Sequence, residues 1–276
     1  MPADTLNLSV AELQEMAKKL RRHVVTMITE ASSGHPGGSL SAADIIASLY
    51  FKVLRHNPQN PNWHDRDRFV LSKGHAAPIL YAALAESAYF PVAELTTLRK
   101  LDSRLQGHTD RNFTPGVEMS AGSLGMGLSF SIGVALAARL DSRDYRTYAL
   151  LSDGECEEGQ TWEAALSAAH FKLDNLVAIV DCNGIQLSGW TRDIMNLEPL
   201  TQKWQAFGWH TIDIDGHDFK QILAALEEAK KIKGKPSVII AHTIKGKGVS
   251  FMESNVAFHG KPPTPEEAEK ALKELE

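Results

Sequence analysis

Two stretches decide the fold: Tyr148-Ala149-Leu150-Leu151-Ser152-Asp153-Gly154 and Leu176-Val177-Ala178-Ile179-Val180-Asp181-Cys182-Asn183-Gly184. Each opens with an unbroken apolar run of strand length and closes on a polar residue followed by glycine. An unbroken run, rather than an alternating one, marks a strand covered on both faces. Residues 158–171 between them read as a helix. Strand, helix, strand in that order implies parallel strands joined by a right-handed crossover. Asp153 and Asn183 then stand just past the carboxyl ends of neighbouring strands, where an open parallel sheet forms its ligand crevice.

Working outward, Arg68-Phe69-Val70-Leu71, His210-Thr211-Ile212-Asp213-Ile214 and Ser237-Val238-Ile239-Ile240-Ala241 read as further strands. Helices are expected after Ser72-Lys73-Gly74-His75 through Tyr81 and Leu84, after Leu200 to about Phe207, and over 219–230. The fold class is therefore α/β, a three-layer α/β/α domain with a mostly parallel central sheet. Ser9 with Glu12 makes a capping box, in which each residue satisfies a free amide of the first turn. Leu13, Met16, Ala17, Leu20, Val24, Met27 and Ile28 follow at helical spacing, so 1–32 reads as an N-terminal helical segment. Ser32-Ser33-Gly34-His35-Pro36-Gly37-Gly38 should break it, since glycine and proline oppose a regular helix. A second helix is expected from Ser41, with Asp44 at its third position. Residues 86–120 read as mostly irregular, and a small-residue helix is expected over 122–140. Thr264-Pro265-Glu266-Glu267 supplies an N-cap, a proline at the first position and an acid at the third. The tail 262–276 should be an exposed, charged helix on a domain spanning 1–276.

Composition narrows the class of function. Lys plus Arg is 29 and Asp plus Glu is 34, a net charge of 29 − 34 = −5. That balance gives no reason to expect nucleic acid or an acidic membrane surface as a partner. No window is long and apolar enough to span a bilayer. The two cysteines, Cys156 and Cys182, have neither metal-ligand nor redox spacing, so a reducing cytoplasm fits best. They read as inert packing beside the site.

The chemistry-bearing residues support two readings each. A carboxylate at Asp153 and an amide oxygen at Asn183 are hard ligands for Mg2+, which commonly shares phosphate oxygens. A turn at Gly184 could aim the Ile185 carbonyl at the same ion. The plain alternative is a pair of strand-end turns. Gly122, Ser123, Leu124, Gly125 and Gly127 open the small-residue helix, and amides at a helix start can bind diphosphate. The alternative is close helix packing. His35, His75, His108 and His259 lie in loops or beside glycines and can exchange protons near neutral pH. Each taken alone reads more simply as structural, and their spacing proves no convergence.

Taken together and in order, these segments resemble transketolase. Asp153-Gly154 followed by Asn183-Gly184 is similar to the thiamine-diphosphate motif, with Ser152 where the family has a glycine. Ser33-Gly34-His35-Pro36-Gly37, Leu71-Ser72-Lys73-Gly74-His75, Gly122-Ser123-Leu124-Gly125, Glu157-Glu158-Gly159 with Glu163, Thr243-Ile244-Lys245-Gly246-Lys247-Gly248 and His259-Gly260 complete the set. The resemblance implies a thiamine-diphosphate-binding fold, thiamine diphosphate and Mg2+ as cofactors, and Ca2+ or Mn2+ as substitutes. It implies that Asp153, Asn183 and the Ile185 carbonyl hold the metal. Gly154, His75 and Gly122, Ser123 and Leu124 would hold the cofactor. His35, His108 and His259 would face the sugar and the thiazolium. Glu158 and Glu163 would lie at the dimer interface, in the network linking two active sites.

The implied reaction moves a two-carbon ketol unit from a ketose phosphate to an aldose phosphate through the cofactor carbanion, with pentose-phosphate sugars as default substrates. Family members in one chain are more than twice this length, and their second domain brings the glutamate that activates the aminopyrimidine. The expectation is therefore a subunit that works with a separate C-terminal transketolase chain, two of each, forming a heterotetramer in the cytoplasm. The alternatives are a subunit of another thiamine-diphosphate enzyme, either xylulose-phosphate synthase-like or a 2-oxoacid decarboxylase or dehydrogenase, and a noncatalytic scaffold.

Overall fold

The computed structural model describes residues 7–276; residues 1–6, the start of the expected N-terminal segment, lie outside the described residues. In chain order the helices are α1 (Val10–Ala31), α2 (Pro36–Ser41), α3 (Ala43–Ser48), α4 (Ala77–Glu86), α5 (Met126–Leu140), α6 (Gly159–His170), α7 (Thr191–Ile194), α8 (Leu200–Ala206), α9 (Phe219–Lys231) and α10 (Pro265–Glu274). The strands are β1 (Arg68–Leu71), β2 (Thr147–Ser152), β3 (Leu176–Cys182), β4 (Ile185–Gln186), β5 (Gly189–Trp190), β6 (His210–Asp215) and β7 (Ser237–His242). Five of them form one sheet in the order β1-β2-β3-β7-β6, and every pairing is parallel.

The unbroken apolar runs are explained by helices on both faces. Tyr148, Leu150, Val177, Ile179, Ile239 and Ala241 join the core beneath α1, α3, α4 and α9. Their neighbours Ala149, Leu151, Ala178, Val180, Val238 and Ile240 join the opposite core, beneath α5, α6 and α8. This is the two-residue alternation of a strand serving two apolar layers, and it makes the domain three-layered. Among the described residues, no helix is long and apolar enough to cross a membrane.

Local chemistry sets the helix ends, and three expectations need correcting. The Ser9–Glu12 capping box is present, and α1 ends with Ser32 in the left-handed region. The segment expected to stay irregular instead starts α2 at Pro36. Proline at the first helical position loses no hydrogen bond, since that amide has no partner within the helix. Ser41 therefore closes a helix rather than opening one. Secondly, α5 begins at Met126, not Gly122. Gly125 caps it with φ of 80°, and the glycine-rich segment before it is a loop. Thirdly, α10 carries the expected cap, but its inner face is not exposed. Ala268, Ala271 and Leu275 are buried in the α1 core, and Arg22 donates to the Leu272 carbonyl at 2.8 Å.

Candidate active site

The carboxyl ends of β2 and β3 carry Asp153 and Asn183 into one crevice. Asp153 is 1% exposed, and its carboxylate accepts the amides of Gly154, at 2.8 Å, and Gly184. Gly184 has φ of 76°, a left-handed value that lets the chain turn back toward Asp153. The Asn183 side-chain oxygen accepts the Ile185 amide at 3.2 Å. Burial, reinforced by nearby Asp181, pushes the Asp153 carboxyl up to about 6, against the downward pull of the two amides and Lys245. A carboxylate held at such a cost is one that a bound cation would relieve.

Behind this pair lies a buried network. Asp181 is fully buried and accepts from Lys73, from Thr243, from Ser41 at 2.6 Å and from the Asn183 amide nitrogen at 3.1 Å. Burial alone would raise the Asp181 carboxyl, but the Lys73 ammonium and the hydroxyl donors outweigh it and hold it below the usual range. Lys73 also donates to the Gly38 carbonyl at 2.8 Å. Lys245 is 2% exposed and bridges the Ile185 carbonyl at 2.6 Å and His259 Nδ1 at 2.9 Å. Burial brings it down to about 8 although Asp153 works to raise it.

The four histidines converge. The His35 ring lies 5.6 Å from His75, 5.9 Å from His108 and 5.6 Å from His259, centroid to centroid. His75 and His259 stack at 5.2 Å. Burial first, then Arg99, His108 and Lys245, lowers His35 to about 4. Burial first, then Lys245 and His35, lowers His259 to about 3. Burial also pushes His75 well down and His108 down. All four are therefore neutral imidazoles near pH 7, each able to accept or donate through one nitrogen. His35 Nδ1 is buried without a hydrogen-bond partner.

A cavity of about 240 Å3 is lined by His75, Leu124, Asp153, Gly154, Glu158, Asn183, Ile185, Lys245 and His259 among others; His35 and His108 do not line it and join it only through their contacts with those rings. Gly122 packs beside His108, where an added Cβ would lie 3.6 Å from the ring. Gly122 and Ser123 are exposed, in the loop before α5 rather than in its first turn. Glu158 sits on the cavity wall, whereas Glu163 is exposed one turn into α6 and does not line it. Cys156 is buried and burial pushes its thiol well up; Cys182 is pushed to about 12 by burial and nearby carboxylates.

Sequence reasoning missed the buried charges. Lys73 and Lys245 were visible only as parts of Lys-Gly turns at strand ends, and Asp181 as the end of an apolar run. Glu155 carried no sequence signal and was not singled out. Its carboxylate is fully buried and accepts from Ser72, the Gly125 amide at 2.9 Å and the Ser152 amide at 3.3 Å. It thereby ties the glycine loop to the ends of β1 and β2.

The family described as "Transketolase, thiamine diphosphate binding domain" matches residues 12–275. The chain belongs to that family. A 6-deoxy-6-sulfo-D-fructose transketolase subunit from a Clostridium species is 46% identical, over 96% of this chain and 96% of its own. An apulose-4-phosphate transketolase subunit from Actinobacillus succinogenes is 44% identical over 98% of each chain. The solved transketolase of Campylobacter jejuni superposes with a TM-score of 0.92 at 37% identity. The match covers 97% of this transketolase-family chain but only 43% of that structure.

Proposed function

We propose that this chain is the diphosphate- and Mg2+-binding subunit of a two-chain transketolase, transferring a two-carbon ketol unit from a ketose phosphate to an aldose phosphate. The observation that carries the reading is the meeting of Asp153, Asn183 and Ile185 with His75 and His259 in one strand-end crevice, the rings of His35 and His108 extending the same histidine cluster. The donor set fits Mg2+: a strained buried carboxylate, an amide oxygen and a carbonyl, all hard oxygens. When bound, thiamine diphosphate supplies the carbanion that breaks and remakes the carbon–carbon bond.

The protein's part is positioning and proton management. Asp153, Asn183 and Ile185 hold the metal. Gly154 and the Gly122, Ser123 and Leu124 loop admit the diphosphate closely, with His75 beside it. His35, His108 and His259 orient sugar hydroxyls through neutral ring nitrogens; held so far down in the empty crevice, His35 and His259 are weak bases, so any proton they carry depends on charge that develops on the bound substrate. Glu158 and Glu163 face a partner chain that brings the activating carboxylate, two of each chain forming the assembly in the cytoplasm. The pentose-phosphate sugars remain the default substrates. The two subunit relatives are named for different sugars, so the sugar is a separate question from the reaction.

The test is turnover of xylulose 5-phosphate plus ribose 5-phosphate with thiamine diphosphate and Mg2+, by this chain alone and with a candidate partner. The two sugars named in the relatives serve as alternative donors. Turnover only with both chains supports the reading, and robust turnover by this chain alone overturns the need for a partner. Cofactor binding without turnover of any of these sugars would favour another thiamine-diphosphate reaction. No cofactor binding by the assembled pair would leave only a scaffold.

A further inference from the structure

A second cluster of cations lies away from this crevice, at the opposite end of the strands. A cavity of about 540 Å3 opens where β2 and β3 begin, and Arg55, Arg139, Arg143, Arg146, Lys230 and Lys233 contribute to its wall. The wall has three carboxylates, Asp67, Asp144 and Asp174, so its six cations leave a local balance of 6 − 3 = +3. The whole chain carries −5.

The carboxylates are committed. Asp67 is 7% exposed and accepts the Arg55 amide at 3.0 Å, the Arg55 guanidinium at 3.2 Å and the Arg146 amide at 2.9 Å. Asp174 accepts from Arg139 at 3.3 Å and from the Gly234 amide at 3.0 Å. Asp144 faces solvent and pairs with Arg55. Arg143 and Lys230 pair outward, with Asp65 and Glu227, in exposed bridges of the kind that contribute little. Arg146 is different. Its guanidinium is seated on two backbone carbonyls, Asp174 at 3.1 Å and Lys230 at 2.6 Å, and among the described residues it has no carboxylate partner. Lys233 likewise has none, and its charge reaches the Asp174 carboxyl only from a distance. A guanidinium fixed by carbonyls holds its remaining N–H donors in place for a planar or tetrahedral oxyanion.

We propose that this cavity is a binding site for a small phosphate-bearing anion, with Arg146 and Lys233 as its principal contacts. The site is separate from the catalytic crevice: the whole of β2 lies between Arg146 and Asp153, about 23 Å at strand rise.

The test titrates inorganic phosphate into the full chain by calorimetry and 31P NMR at low ionic strength, with thiamine diphosphate and Mg2+ present throughout. Saturable binding is expected, with the cofactor filling the strand-end crevice, and is weakened at least tenfold in Arg146→Gln/Lys233→Gln. Binding that survives the double substitution overturns the proposal. So does failure to saturate by about 10 mM. If Arg146→Gln fails to fold, exposed Lys233→Glu decides: unchanged affinity there overturns the proposal.

Discussion

Asp181 offers the sharpest test of how this crevice is held. Asp181→Leu removes the carboxylate paired with Lys73, and both side chains are 0% exposed. The ammonium would keep the Gly38 carbonyl alone, while Ser41, Thr243 and the Asn183 amide each lose an acceptor. Breaking one partner of a buried ion pair costs about 3–5 kcal/mol, a large share of a typical stability of about 5–15 kcal/mol. The charge-free pair Lys73→Met/Asp181→Leu should recover much of this. It leaves mainly the Thr243 hydroxyl and the Asn183 amide short of an acceptor, since Ser41 keeps the Gly38 carbonyl at 3.2 Å, at about 1–3 kcal/mol. Urea unfolding measures all four corners of the cycle, with the slope checked for constancy so that midpoints compare directly. The double variant should still bind thiamine diphosphate and Mg2+ more weakly than the parent, because Asn183 has lost its anchor. A loss below about 1 kcal/mol for Asp181→Leu, or additive single losses, would refute a mutually dependent buried pair.

Three further outcomes follow from the same geometry. His35 titrates at about 4 in the fold against 6.5 ordinarily, so between these values the unfolded chain binds more protons. Its contribution is full above pH 6.5 and is lost as pH falls toward 4, and His35→Gln should flatten that part of a urea-midpoint profile. The charged and titratable groups facing it, Arg99, His75, His108, His259 and Lys245, stay in place in that variant and keep their own part of the slope. Gly127→Ala would set a Cβ 2.6 Å from the Ser72 backbone, whereas nothing lies within 4 Å of a Cβ at Gly133. Gly127→Ala should destabilise by about 1–3 kcal/mol, and Gly133→Ala should gain up to about 1 kcal/mol in the isolated chain, both read by thermal unfolding. Glu155→Ala should leave the Gly125 and Ser152 amides and the Ser72 hydroxyl without acceptors, costing about 1–3 kcal/mol. If Glu155 positions the glycine loop, Glu155→Gln should restore stability more fully than it restores cofactor affinity by calorimetry.

What could be read from the sequence was what short-range physics decides. Apolar runs long enough for a strand and capped by Asp-Gly or Asn-Gly gave β2 and β3, and with them the crevice. The Ser9 and Thr264 caps are likewise local, since donor and acceptor lie three residues apart. The start of α2 was not local. A helix through Pro36-Gly37-Gly38 forms because Gly37 lets the backbone press on Phe258 and Lys245, where a Cβ would lie 2.8 Å from the Phe258 carbonyl. The convergence of the four histidines is not local either: their spacing left it open, the resemblance alone implied it, and the β-strands between them bring His35 to His259. The buried charges are the most instructive miss. Lys73, Glu155, Asp181 and Lys245 each read as surface residues by type, and burying any one alone would be prohibitive. They are tolerated because each finds partners from a distant segment, Lys73 with Asp181, Glu155 with Ser72 and Gly125, Lys245 with Ile185 and His259. All four cluster at the carboxyl ends of the strands, around Asp153 and Asn183. The Arg21–Asp44 pair and Asp67 are buried too, but among the described residues the charges exposed by 2% or less all gather at this crevice, and such local conflict between residue type and environment marks functional sites more often than structural ones. On that physical ground alone the strand-end crevice would be the place to look for chemistry, before any relative was considered.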